Sequence, residues 1–116
     1  MENVKKPSGD MILSFDAGTQ SIRAALIDAS GNIAQIVKRR IEPYFSPEPG
    51  WAEQHADYYW KMFCEACREL LDKSDKSSRE AIVAVTLTTQ RATMINLGED
   101  GRPLRPACLW LDQRKS

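Results

Sequence analysis

An α/β fold follows from three features of the sequence. Ala81-Ile82-Val83-Ala84-Val85-Thr86-Leu87 is nearly continuous in apolar character, the pattern of a strand buried between layers and reached by a helical crossover. A helical repeat of apolar residues precedes it, and three short strand-like segments joined by tight turns come before that. The 116 residues suffice for one small domain with a hydrophobic core and leave little room for two substrate-binding domains.

Residues 1–10 read as a flexible polar lead ending in Pro7-Ser8-Gly9-Asp10, and the ordered domain is expected to begin near Met11 and run to residue 116. Strands are predicted near residues 11–16, 22–28 and 33–40, with Asp28-Ala29-Ser30-Gly31-Asn32 as the second reversal. Connections this short imply antiparallel neighbours. Pro43-Tyr44-Phe45-Ser46-Pro47-Glu48-Pro49-Gly50-Trp51 has too much proline for a central strand or helix interior, and its aromatics point to an ordered loop packed across the domain. Asp57 is expected to cap a helix that carries Tyr58 or Tyr59, Met62, Phe63, Ala66, Leu70 and Leu71 at three- and four-residue intervals. Residues 73–78 end that pattern. After the strand at 81–87, another is predicted over residues 94–97, then a turn at Gly98-Glu99-Asp100-Gly101 and an extended segment toward Trp110.

The 16 basic residues balance 16 acidic ones, which disfavours non-specific nucleic-acid binding, and Lys38-Arg39-Arg40 reads as a solvated strand end. No apolar run reaches the length of a membrane span and the polar start lacks a secretory core, so a cytoplasmic protein without membrane association is expected. Cys64, Cys67 and Cys108 do not form an even disulfide framework. The CxxC spacing of Cys64 and Cys67 lies within the helical pattern and not at its amino end, where a redox thiolate would be favoured, so packing is their reading. His55 is the sole histidine, which excludes a histidine cluster as a metal site. Together with Glu53, Gln54 and Asp57 it is read as fixing a loop or starting the helix.

Chemistry concentrates in three places. Ser14-Phe15-Asp16-Ala17-Gly18-Thr19-Gln20-Ser21-Ile22-Arg23 sets an acid, a glycine and several donors between two apolar runs, as suits a phosphate-binding hairpin. Gly18 is free to adopt positive φ or to bring its amide close to an anion, and Asp16 to orient a divalent ion or its water. The pattern lacks the lysine and following helix of a Walker A loop, and an ordinary β-turn is its alternative. Thr88-Thr89-Gln90-Arg91 should emerge at a sheet edge, where Gln90 and the donor fork of Arg91 suit a polyol or anion; a salt bridge and a turn contact are the alternative. Trp110 offers an apolar face either to a polyhydroxylated ligand or to the core.

The order Asp16-Ala17-Gly18-Thr19-Gln20-Ser21-Ile22-Arg23, Pro49-Gly50-Trp51-Ala52-Glu53-Gln54, Thr89-Gln90-Arg91, and Gly101-Arg102-Pro103-Leu104 leading to Trp110 and Asp112-Gln113-Arg114 resembles the amino-terminal part of the FGGY carbohydrate kinases, over residues 11–116. The resemblance implies a ribonuclease-H-like, actin-type fold, of which this chain carries part of the first domain. It also implies transfer of the γ-phosphoryl group of ATP, with Mg2+, to a sugar or polyol hydroxyl. By the same resemblance Asp16, Gly18 and Thr19 belong to the phosphate and magnesium side, supported by Gln20, Ser21 and Arg23. Gln90, Arg91 and Trp110 fall on the acceptor side. The glycerol-kinase-like branch commonly follows its arginine with glutamate, whereas this chain has Ala92. That change removes a carboxylate acceptor and counts against glycerol itself, leaving a related ketose, pentitol or other polyol. The general base and most adenine-binding groups are expected beyond residue 116, in a carboxy-terminal part of the same protein, so efficient catalysis by this fragment alone is not expected. A non-catalytic ATP- or carbohydrate-binding module is the alternative, and exposed strand edges leave room for a homo-oligomer.

Overall fold

Alternation of buried and open side chains builds the first strand, β1 (Met11–Ala17), whose Met11, Leu13 and Phe15 face the core. The computed structural model describes residues 7–114. β1 turns into β2 (Ser21–Asp28), which turns into β3 (Ile33–Arg40), with antiparallel pairing at both junctions. The second reversal is organised by Asp28. Its Oδ1 accepts from the amides of Ser30 (2.9 Å) and Asn32 (2.8 Å), while Gly31 takes the left-handed conformation at φ 86° that the turn requires. The amide of Ser8 also donates to Asp28, at 3.3 Å; residues 1–6 of the expected flexible lead lie outside the described residues.

The proline-rich segment is ordered as expected. Phe45 exchanges two backbone hydrogen bonds with Glu53, at 2.8 and 3.0 Å, and Ser46 Oγ donates to the Trp51 carbonyl at 2.7 Å. This loop leads into β4 (Glu53–Gln54) and α1 (Ala56–Lys73). His55, not Asp57, occupies the N-cap position, and its side chain makes no capping bond. Asp57 sits instead in the first turn, where its charge favours the helix dipole. The stripe of Tyr59, Met62, Phe63, Ala66, Cys67 and Leu70 packs on β1–β3, with Phe63 against Phe15 at a ring separation of 4.2 Å.

Beyond α1 lies α2 (Lys76–Glu80), a short helix that overlaps the segment expected only to end the pattern. Its signal is Asp75, whose carboxylate accepts from the Ser78 amide at 2.7 Å as an N-cap. The chain then enters β5 (Ile82–Thr88), which pairs parallel to β1 and gives the sheet order β3-β2-β1-β5. This parallel pair fits the crossover expected from sequence.

Within these 116 residues the burial expected for β5 is not reached. Val83, Val85 and Leu87 are 65%, 62% and 53% exposed, because β5 is the edge strand and α1 packs over β2 and β3. The strand predicted over residues 94–97 is also replaced, by isolated bridges from Met94 to Cys108 and from Leu97 to Pro103. Both Met94 and Leu97 are more than half exposed, so no buried face holds a longer ladder together. Instead β6 (Ala107–Cys108) pairs antiparallel with β4 in a second, two-stranded sheet.

Cys64 and Cys67 lie on α1 and all three cysteines are free thiols, with burial pushing Cys67 up. Arg39, in the basic strand end, meets Glu65 of α1 at 3.4 Å. No described helix is long and apolar enough to cross a membrane.

Candidate functional site at the end of the parallel strand pair

Because β1 and β5 run parallel, their carboxyl ends lie side by side, with Asp16 opposite Thr88. Open α/β sheets gather ligand groups at such ends. The β1–β2 turn begins there. Gly18 donates its amide to the Ser21 carbonyl at 2.9 Å, and the Gln20 carbonyl accepts from the Ile41 amide at 3.0 Å. Positive φ is not the reason for glycine here, since the described glycines in that region are Gly9, Gly31, Gly50 and Gly101. Close approach is the reason: a Cβ at Gly18 would stand 3.2 Å from the Ser21 carbonyl oxygen.

The side chains of Asp16 and Arg23 project from paired positions of β1 and β2. Their closest approach is 3.9 Å and each is about half exposed, at 55% and 50%. Asp16 therefore keeps carboxylate lone pairs open to solvent or a ligand.

Two long-range hydrogen bonds gather the other segments around this turn. Gln90 Nε2 donates to the Gly18 carbonyl at 3.0 Å, while its Oε1 accepts from Thr93 Oγ1 at 2.8 Å. Trp110 Nε1 donates to Thr19 Oγ1 at 3.0 Å. The sequence clusters at residues 16–23, 90–91 and 110 thus meet at one sheet end. Arg91 is exposed and makes no side-chain hydrogen bond or ion pair among the described residues. The next residue, Ala92, has φ 57°, an uncommon and strained conformation for a residue with a Cβ.

Under Gln90 lies a largely apolar cavity of about 430 Å3, lined among others by Ala17, Ile22, Tyr59, Phe63 and Leu87. Tyr59 Oη is buried there without a hydrogen-bond partner among the described residues. Burial pushes its pKa up, and the neighbouring Gln90 amide opposes the shift.

Sequence reasoning did not anticipate the ion cluster beside this site. Glu53 accepts from Arg105 and from Arg114, the latter at 2.8 Å, and Arg114 also forms paired hydrogen bonds of 2.6 and 2.7 Å with Asp112. The Arg114 guanidinium lies 3.9 Å from the centre of the Trp51 ring. Hydrogen bonds from Arg114, together with one from the Ala52 amide, hold Asp112 well below the usual carboxylate range against the opposing effect of desolvation. The alternation Asp112-Gln113-Arg114 was visible in sequence, but its partner Arg105 carried no signal.

No group of three or more His, Cys, Asp or Glu side chains among the described residues is arranged to hold a metal ion. A single exposed carboxylate such as Asp16 still fits Mg2+, which usually keeps several waters and takes one or two protein carboxylates alongside substrate phosphates.

Residues 11–116 match the family model for the FGGY family of carbohydrate kinases, N-terminal domain. A glycerol kinase of Rhizobium meliloti is 32% identical over 107 residues, covering 91% of this chain and 21% of the relative. Another, from Gloeobacter violaceus, is 38% identical over 104 residues, covering 89% and 20%. Among solved structures, a xyloylose kinase from Brucella ovis superposes with a TM-score of 0.84 at 32% identity, covering 90% of this chain and 22% of that one. The glycerol kinase of Plasmodium falciparum with ADP gives 0.74 at 28% identity, covering 95% and 22%. The chain spans about a fifth of the length of the curated relatives it matches. Its α/β architecture is accordingly the amino-terminal portion of a ribonuclease-H-like, actin-type ATPase fold. By the match to residues 11–116 and the shared fold, the chain belongs to the FGGY family of carbohydrate kinases.

Proposed function

We propose that the intact protein to which this chain belongs transfers the γ-phosphoryl group of ATP to a hydroxyl of a sugar or polyol. The observation that carries this reading is the convergence of the Asp16–Thr19 turn, Gln90 and Trp110 through the hydrogen bonds to Gly18 and Thr19. In this reading the open Asp16 carboxylate binds Mg2+ through its water shell, and Thr19, Gln20, Ser21 and Arg23 support the phosphate side. When bound, Mg-ATP supplies the transferable phosphoryl group and a cation that offsets its charge.

In this reading Arg91, exposed and without a side-chain partner among the described residues, donates to the acceptor, and the half-exposed Trp110 offers an apolar surface to its carbon face. Gln90 is already bonded at both ends of its amide, so it positions the turn against the β5 loop. The general base and the adenine-binding groups are assigned to the remainder of a longer protein, whose closure over the site would exclude water. With Ala92 at the position where glycerol-kinase-like relatives are expected to carry glutamate, a ketose, pentitol or other polyol stands beside glycerol as the acceptor. A cytoplasmic setting belongs to the same proposal.

A second reading is a non-catalytic ATP- or carbohydrate-binding module, favoured by the lack, among the described residues, of any group of three or more His, Cys, Asp or Glu side chains placed to hold a metal ion. Acceptor-dependent ADP formation by the intact protein separates the two. Mg-ATP tested against glycerol, pentuloses, hexuloses and pentitols should give turnover with at least one acceptor. ATP binding by the folded protein without turnover on any of them would favour the module.

A further inference from the structure

We propose that Glu53 is a positioning residue that fixes Trp110 against the Thr19 turn through Arg105, Arg114 and Asp112. This rests on the kinase reading only for its kinetic consequence; the geometric part stands on the structure.

Trp110 lies inside a turn closed by a 2.9 Å hydrogen bond from the Asp112 amide to the Leu109 carbonyl. Both flanks of that turn are tied to the segment ending at Glu53. On one side the Leu109 amide donates to the Ala52 carbonyl at 3.0 Å. On the other, the Ala52 amide donates to Asp112 Oδ2 at 2.7 Å, and the Gln113 amide donates to the Gly50 carbonyl, also at 2.7 Å. The Trp110 ring itself is 55% exposed and meets the hairpin through one hydrogen bond to Thr19. Its direction is therefore set by the turn that carries it.

That turn is held in turn by charge. Glu53 Oε2 bridges Arg105, on the approach to β6, and Arg114, beyond the turn. The side chain of Glu53 is 7% exposed and that of Asp112 is 4%, so both carboxylates are withdrawn from water. Two carboxylates and two guanidinium groups balance within the cluster. Without the Glu53 charge, Arg105 and Arg114 face each other with Asp112 as the one remaining counterion, and Arg114 keeps Asp112 and the Trp51 ring but loses its tie to β4. The Asp112 end of the turn then relaxes, and Trp110 loses its fixed direction toward Thr19.

The indole N–H resonances of 15N-labelled intact protein test this directly. Among the indole signals, that of Trp110 is identified as the one lost in Trp110→Phe. In Thr19→Val, which removes the acceptor, that signal marks the unbonded position. Glu53→Gln should move the Trp110 indole toward that position and raise the acceptor KM about tenfold while leaving the KM for ATP within about twofold. A folded Glu53→Gln protein with the wild-type indole signal would overturn the proposal, as would equal losses for acceptor and ATP. Should Glu53→Gln fail to fold, Arg114→Lys carries the same two readouts, since it retains charge and loses the paired donors. If the wild-type protein phosphorylates no acceptor, the kinase reading fails while the indole signal still decides the role of Glu53.

Discussion

Two acid and arginine pairs stand on either side of the Trp110–Thr19 contact, and they are opposite in commitment. Asp112 accepts from the Ala52 amide and from the backbone and side chain of Arg114, with 4% of its side chain exposed. Asp16 is 55% exposed and no nearer than 3.9 Å to Arg23, and Arg91 has no side-chain partner among the described residues. The hydrogen-bonding capacity of the first pair is consumed in building the site. That of the second stays largely open to solvent. Charged residues of the same types are thus committed to structure or left available according to how many of their donors and acceptors the fold satisfies.

The largest expected break in this comparison comes from Asp16→Ala. In the intact protein it should lower magnesium-dependent turnover by about 100- to 1,000-fold, while thermal unfolding stays close to wild type. Steady-state kinetics and a melting curve check both halves; a large loss of stability would place Asp16 with the structural pair. Next is Arg91→Ala, which should reduce kcat/KM for the acceptor by about 10- to 100-fold and leave ATP use nearly unchanged. Unchanged acceptor efficiency would remove Arg91 from the site.

The structural pair should respond in stability instead. Asp112→Asn leaves the Arg114 guanidinium without its paired carboxylate and should lower the melting temperature by roughly 5 °C or more. Acid provides the same test without mutation. The folded pKa of Asp112 is depressed, so its stabilisation is fully present above the unfolded value of about 3.9 and is lost as pH falls below it. Asp28 and Asp75 are depressed too, Asp28 chiefly by hydrogen bonds from Asn32 and Asp75 chiefly by those from Ser78, and they add to the same acid loss. Melting temperature measured from pH 7 down to pH 3 should therefore fall mainly at the acid end, and less steeply in Asp112→Asn. The smallest effect is expected from Ala92→Gly. Relief of the left-handed strain at φ 57° should raise stability by at most about 1 kcal/mol, measurable by urea titration. A destabilised glycine variant would show that Ala92 is not strained.

The elements that were legible share one property, which is that their signals are local. The apolar run Met11-Ile12-Leu13 placed β1, Asp28 and Gly31 placed a turn, and the stripe from Tyr59 to Leu70 placed α1. The errors fell where neighbours distant in sequence decide. An apolar run reads the same whether or not these 116 residues supply the layer that covers it, so Val83, Val85 and Leu87 gave no sign of their exposure here. Residues 94–97 have strand-forming chemistry, yet pairing with Cys108 and Pro103 stops at single bridges. At Gly18 the sequence left two reasons for glycine open, and the close approach to Ser21, not positive φ, proved to be the structural one.

By itself the sequence determined the antiparallel hairpins, the amphipathic helix, the parallel crossover and the ordered motifs that mark the family. Each arises from periodicity, turn chemistry or fixed spacing, which act over a few residues. Tertiary structure alone decided which charges are occupied. Thr19 and Trp110 are 91 positions apart, Glu53 and Arg114 are 61 apart, and Gly18 and Gln90 are 72 apart. A hydrogen bond needs its partners within a few tenths of an ångström, and over such separations only the packed chain sets that distance.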